Sequence, residues 1–286
     1  MAKKNKSDHF KFEWKQKWMN FKQQAVYIMM SPVRFFKFLC MVTGFATLSF
    51  FLIISLLIFT FFNSLPDIEN MKYDDIKKLG IQRVSQRFED KSKGRYYRWT
   101  ASHNINLHLI YSIVVSEDGH FFEHEGVDYN AVIRSAIKNY KKGEYASGGS
   151  TITQQVVKNI FLDKEKSLFR KLKEYFIAKR LEDKLGKNKI LELYLNIAEF
   201  GPDMFGVYQA SAHYFKKTPS KINAAEGAFM AIMLPTPRRN YLSIYKNKYI
   251  SKRHKKKLGR ILRDMLGMEY ISPKQYNRYI RYSYFK

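Results

Sequence analysis

The sequence predicts a mostly α-helical protein, a single membrane-spanning helix followed by one helical domain. Three observations predict it. Phe38 to Phe62 is almost wholly apolar, with no charged residue between Lys37 and Asp67. From Asn106 onward, apolar residues recur at helical spacing in one segment after another. Strand-like runs are few, and there is no internal repeat.

The bulk numbers agree. The 286 residues suffice for one large domain or two small ones beside an anchor. At 45% hydrophobic and 16% aromatic, the composition is that of a folded chain and excludes wholesale disorder. The formal net charge of +26 calls for anionic partners: nucleic acid, anionic lipid or a diphosphate. The membrane segment tilts that choice toward lipid, and nucleic-acid binding rests on charge alone. Cys40 is the only cysteine, so no intramolecular disulfide can form and a disulfide-built scaffold is excluded.

Residues 1–37 form a basic segment containing Lys3, Lys4, Lys6, Lys11, Lys15, Lys17, Lys22, Arg34 and Lys37. Residues 38–62 are the expected transmembrane helix: about 25 residues at ~1.5 Å each exceed the ~30 Å hydrocarbon core. A buried core helix would be shorter and amphipathic. A cleaved signal peptide would have a shorter apolar core and a small-residue cleavage site, whereas this run ends in Phe61-Phe62-Asn63. Lysines precede the span and Asp67 and Glu69 follow it, so the positive-inside rule puts the N-terminus in the cytoplasm. Residues 63–100 read as a linker and entry to the fold, broken at Pro66 and extended from Phe88 to Thr100. Residues 101–245 are the expected core, with a mobile, basic loop at Asn139–Gly149. Residues 246–286 are a basic C-terminal extension, expected to be helical. Its Lys252-Arg253-His254-Lys255-Lys256-Lys257 string suits either a membrane surface or a solvated face.

Three blocks carry chemistry. In the first, apolar Tyr111–Val115 leads into Glu117-Asp118 and the turn beyond. A carboxylate closing an apolar helix is partly desolvated, which raises its pKa and makes it a better base. His120 and His124 are four apart, but hydrogen-bonding roles suit them better than metal. In the second block, Gly148-Gly149-Ser150-Thr151 opens a helix through Gln154, Gln155, Lys158 and Asn159. Such an end leaves backbone N–H groups free for phosphate oxygens or for simple capping. In the third, Leu168, Leu172 and Phe176 share a face that should be buried, while Arg170, Lys171 and Glu174 gather on another. That second face is either a solvated salt-bridge face or a diphosphate clamp whose carboxylate can take a divalent ion.

Taken together, the blocks resemble the peptidoglycan glycosyltransferase family, which also forms the transglycosylase domain of bifunctional penicillin-binding proteins. The match runs in order from Asn106 to Arg238. It takes in Glu117-Asp118 with Phe121, His124 and Gly126, then Gly149–Asn159, Arg170-Lys171-x-x-Glu174, Ile190–Asn196, and Ala224-Ala225-Glu226 leading to Leu234-Pro235-Thr236-Pro237. Each block alone is weak; five in order are specific. The resemblance implies a lysozyme-like domain with a larger head and a smaller, membrane-facing jaw. It implies Glu117 as general base and Glu174 as the carboxylate on the leaving-group side. Lys158, Arg170 and Lys171 would neutralise the diphosphate, and Ser150, Thr151, Gln154 and Gln155 would shape the grooves. Asp118, His124, Asn159, Lys166 and Asn196 are carried over as substrate-binding. Lys166 stands where the family usually has arginine, so bidentate phosphate binding is lost there.

The implied substrate is lipid II together with a lipid-linked glycan chain. The implied cofactor is a divalent cation, Mg²⁺ or Mn²⁺, at Glu174. The implied location is the bacterial cytoplasmic membrane, with wall-synthesis or division proteins as further partners. Ser135-Ala136-Ile137-Lys138 fits S-x-x-K, but no K-T-G follows, so no transpeptidase activity is expected. The competing readings are a wall-cleaving enzyme on a lysozyme-like scaffold and a non-enzymatic, membrane-tethered envelope scaffold.

Overall fold

The computed structural model describes residues 3–142, 149–163 and 167–285. The chain forms two units, Met1–Leu65 and Pro66–Lys286.

The first unit is two helices, α1 (Lys3–Met30) and α2 (Pro32–Asn63). Ser31 interrupts them, and Pro32 starts α2 at a first-turn position where its missing N–H costs nothing. The expected span 38–62 lies inside α2, which has a mean hydropathy of 2.5 and is long and apolar enough to cross a membrane. Its threonines do not leave polar atoms bare. Thr43, Thr47 and Thr60 each donate to a carbonyl three or four residues back, which satisfies the hydroxyl in an apolar medium.

The second unit begins with α3 (Tyr73–Arg87) and short 3₁₀ turns at Lys91–Tyr96 and Ser102–Asn104. Helices α4 (Leu107–Glu117), α5 (Tyr129–Lys142), α6 (Ile152–Ile160) and α7 (Leu168–Ile197) follow. A two-stranded antiparallel hairpin, β1 (Glu199–Gly201) and β2 (Met204–Phe205), leads into α8 (Gly206–Phe215). The chain ends with α9 (Ala224–Met233), α10 (Pro237–Asn240), a π-helical turn at Tyr241–Lys246, α11 (Lys252–Gly267) and α12 (Pro273–Tyr279).

Two helical groups build this unit. Every residue of α9 is buried, as a helix apolar on all sides must be. Helices α4 and α11 pack on it and on each other through Leu109, Ile113 and Val114 from α4 and Leu258, Ile261, Leu262 and Met265 from α11. In the other group α6 lies on α7, and α3 covers both with Ile76 and Val84. Gly186 breaks α7 at φ +70°, ψ 168°, between the two helical patterns that the sequence shows at 168–185 and 189–194.

Four features differ from the sequence reading. Residues 63–100 are more than a linker, because α3 contributes to the core and its Arg87 is tied to Glu199 at 3.1 Å. The expected extended segment Phe88–Thr100 is interrupted by the 3₁₀ turn at Lys91–Tyr96. Nor is the basic 246–286 extension an appendage: the apolar stripe of α11 is core. The α7 face expected to be buried is instead largely open, with Leu168 87% exposed, Leu172 about half exposed and Phe176 half-buried, while Glu174 on the opposite side is 2% exposed. Helical periodicity finds the apolar face but does not say what covers it. Here that face and exposed Val132, Ile133 and Ile137 of α5 are both left uncovered. Of the expected loop, residues 139–142 belong to α5, and 143–148 lie outside the described residues.

Candidate active site

Glu117 is the last residue of α4, carried to the protein's interior by the apolar helix before it. Its carboxylate accepts a hydrogen bond from Gln155 Nε2 at 3.2 Å, and Tyr194 Oη donates to the other end of that amide at 3.4 Å. It has no ion pair among the described residues. Burial pushes the Glu117 carboxyl above its ordinary value; Lys257, the Gln155 bond and Lys158 pull it partly back, and neighbouring Asp118 adds to the rise. A small cavity of about 100 Å³ opens beside it, lined by Gly149, Ser150 and Thr151 among others.

Glu174, on the first turns of α7, has the opposite surroundings. Arg170 Nη1 donates to one oxygen at 3.0 Å, Lys171 donates to the other, and Lys171 also reaches Ser150 Oγ at 3.2 Å. Gln154, Gln155, Lys158, Arg170, Lys171 and Glu174 line a cavity of about 880 Å³ whose other wall is α5, with Val132, Ser135 and Asn139. Gly149 sets the spacing of that wall: a Cβ there would sit 2.9 Å from the Val132 Cα and 3.0 Å from the Ala131 carbonyl, so the chain entering α6 touches the α5 backbone. Lys158 is exposed and has no bonded partner among the described residues. Its protein surroundings push its ammonium below the usual lysine value; Glu174 pulls it back up, and Arg170, Lys171 and Arg87 push it further down. Lys158 and Arg170 also line a second cavity of about 880 Å³ that includes Arg83, Arg87, Asn159, Glu199 and Arg238.

The small cavity beside Glu117 shares Gly149 and Ser150 with the larger one lined by Gln155, Lys158, Arg170, Lys171 and Glu174, and Asn159 lines the second large cavity, bonded by Arg87 at 3.5 Å. Other expected site residues do different work. Asp118 is buried: its carboxylate accepts from the Ile152 N–H at 2.9 Å and pairs with His124 Nε2 at 3.1 Å. It fastens the end of α4 to the start of α6. Of the two readings of this helix start, the structure shows capping: Asp118 meets the Ile152 N–H and Thr151 accepts from the Gln154 N–H. Thr151 and Gln154 form a reciprocal capping box, and Thr151 Oγ1 donates to the Gly126 carbonyl at 2.6 Å. Asn196 is fully buried away from the groove, bonded to the Thr100 N–H and carbonyl at 2.7 and 2.8 Å. His120 pairs with Glu123 at 2.8 Å. Lys166 lies outside the described residues.

Glu174 was the expected metal ligand. Both its oxygens are held by cations, and no group of three His, Cys, Asp or Glu side chains able to hold a metal occurs among the described residues. A hard divalent ion needs several oxygen ligands, so the described side chains around Glu174 do not by themselves build a resident site. Sequence reasoning missed Tyr194 and Lys257 near Glu117. Tyr194 stood in a recognised block without a role, and Lys257 was hidden inside a run of cations.

The comparisons with known proteins agree with this geometry. The family model described as transglycosylase matches residues 82–266, which takes in the end of α3 and nearly all of α11. A biosynthetic peptidoglycan transglycosylase of Nitrosospira multiformis is 41% identical over 164 residues, 57% of this chain and 71% of that protein. Proteins of the same description from Aromatoleum aromaticum and Janthinobacterium sp. are 41% and 42% identical over 143 and 142 residues, half of this chain and 62% of each relative. The helical, lysozyme-like fold, a desolvated carboxylate beside a cluster of cations and a family match over most of the second unit lead to one conclusion: the chain belongs to the transglycosylase family and is a glycosyl-transferring enzyme.

Proposed function

We propose that the protein polymerises lipid II into glycan strands at the outer face of the bacterial cytoplasmic membrane. One observation carries this reading: Glu117, a desolvated carboxylate with no ion pair among the described residues, is hydrogen-bonded to Gln155, which lines the cavity that holds Lys158, Arg170 and Lys171. Glu117 takes the proton from the acceptor sugar's 4-hydroxyl. The freed oxygen bonds to the donor's anomeric carbon from the face opposite the leaving group. The bond from that carbon to the diphosphate oxygen breaks, undecaprenyl diphosphate departs with the electron pair, and configuration inverts. Arg170 and Lys171, held in position by Glu174, and the free ammonium of Lys158 meet the charge that develops on the diphosphate. Fixed charges of this kind supply much of the rate enhancement in many enzymes.

A divalent cation, Mg²⁺ or Mn²⁺, enters on this reading with the substrate's diphosphate, since no cage of protein ligands occurs among the described residues. Helix α2 is the membrane anchor, its N-terminal side faces the cytoplasm and the catalytic unit lies outside. A lipid-linked glycan chain is the second ligand, and wall-synthesis proteins are the natural neighbours.

The test offers the purified protein labelled lipid II and, separately, finished wall. Glycan polymer from the first and no fragments from the second is the expected result. Soluble wall fragments without polymer would identify a hydrolase instead. Chelating divalent metal should slow polymerisation while leaving the melting temperature unchanged. A reporter active only in the cytoplasm, fused at the C-terminus, should stay silent.

A further inference from the structure

Lys158 and Arg170 line two cavities at once, the one that holds Glu174 and a second of about 880 Å³ beside it. The chemistry of the two differs. In the first, the single carboxylate is Glu174, and cations already bond both its oxygens. The second carries both signs in quantity. Arg83 and Arg87 of α3 and Arg238 of α10 line it together with Glu89, Asp163 and Glu199.

The three arginines are not equally committed. Arg87 is fixed: it bonds Glu199 at 3.1 Å and Asn159 at 3.5 Å, and its guanidinium lies 4.6 Å from the centre of the Phe205 ring. Arg83 donates from Nε to the Ile160 carbonyl at 3.0 Å and from Nη1 to Asp163 at 3.4 Å. Arg238 donates from Nε to Glu199 at 3.0 Å and from Nη1 to Glu89 at 2.5 Å. The Asp163 and Glu89 side chains are 84% and 68% exposed. Ion pairs with partners so open to water are worth little and exchange easily. The Nη2 groups of Arg83 and Arg238 donate to nothing among the described residues. Both arginines therefore keep donors for a ligand, in the planar fork that suits a carboxylate.

We propose, resting on the reading of lipid II as substrate, that the second cavity takes the charged peptide of that substrate, with Arg83 and Arg238 reading its carboxylates. The parts of lipid II make different demands. The prenyl tail needs an apolar surface, the diphosphate needs cations, and the sugars are uncharged. The peptide alone combines carboxylates with an amine, and it branches from the sugar bonded to the diphosphate. A cavity of mixed charge that shares Lys158 and Arg170 with the diphosphate's cations matches both its chemistry and its place. The volume is within the ordinary range for a ligand pocket. On binding, the peptide's carboxylates take Arg83 and Arg238, and its amine takes the carboxylates those arginines leave, Asp163 and Glu89.

The test compares lipid II with the same molecule amidated at its peptide carboxylates, using the full-length protein. Amidation should lower kcat/KM of the wild type about tenfold or more, the usual loss when a charged hydrogen bond is removed. In R83Q and R238Q that preference for the acidic peptide should shrink toward one. R238K keeps the charge without the fork and should restore part of it. Equal kcat/KM for the two substrates in the wild type, or a full preference in folded R83Q and R238Q, would overturn the proposal. A second measurement needs no turnover. Lipid II carrying a photoreactive diazirine on its peptide is irradiated with the wild type, and the attachment points are mapped by mass spectrometry. They should fall on lining residues such as Gln86 and Leu162; attachment confined to other surfaces would refute the assignment. If the wild type makes no polymer, the reading of the reaction falls, while the position of the label still decides what this cavity holds.

Discussion

Two glutamates, Glu117 and Glu174, line neighbouring cavities under opposite conditions. Glu174 is bonded on both oxygens by Arg170 and Lys171 from its own helix. Glu117 has an amide, a cation at a distance and no ion pair among the described residues. The contrast teaches that surroundings assign roles to identical side chains. A carboxylate whose charge is already answered can hold cations in position, and one whose charge is left short of partners can take a proton. The following experiments are ways to break that contrast or sharpen it.

Glu117→Gln should have the largest effect, a fall in kcat/KM of at least about a hundredfold, the usual range for removing a general base being ~10²–10⁴. Initial rates of lipid II polymerisation measure it, and near-wild-type turnover would erase the distinction between the two acids. Lys158→Ala removes the groove's unbonded cation and should weaken substrate binding about tenfold or more, as a charged hydrogen bond to phosphate is worth ~1.5–3 kcal/mol. A rise in KM with little change in melting temperature is the signature. Glu174→Gln should cost stability as well as activity, because it leaves Arg170 and Lys171 side by side without their anion. About 1–3 kcal/mol is expected after allowing for the part-exposed partners, and denaturant unfolding of the variant reads it.

Stability against pH separates the two sites more finely. The folded-state pKa of Glu117 lies above its unfolded value. Its contribution to stability is therefore complete below the ordinary glutamate range and is lost as pH rises through the raised value. Glutamine cannot ionise and escapes that loss, so E117Q should melt no lower than the wild type at neutral pH, and the difference should vanish in acid. The smallest effect belongs to Thr151→Ala, which removes one cap of α6 and should cost about 1 kcal/mol. A thermal melt detects it.

Much of this was legible in the sequence. The long apolar helix α2 and most of the other helices follow from uncharged length and periodicity. Glu117 could be singled out because an apolar run ends on it. The apolar face of α7 was read correctly as a face and wrongly as core, since the pattern of Leu168 and Leu172 is the same whether the face meets protein or is left bare. The start of α6 could be read either as a cap or as a phosphate site, and which it is depends on Asp118, 34 residues earlier, a meeting that spacing does not report. Asn196 was carried over as substrate-binding, yet it braces Thr100 across the fold. Lys257 was invisible for a further reason: it stands among six adjacent basic or histidine residues, and the run itself does not mark it as half-buried.

The bare Cα at position 149 has a consequence for the gap between α5 and α6. Two backbones touch there with no side chain between them, so the separation of α5 and α6 is fixed by main chain alone. Any larger residue at that point would act as a wedge, prising α5 from α6 and widening the large cavity that both helices wall.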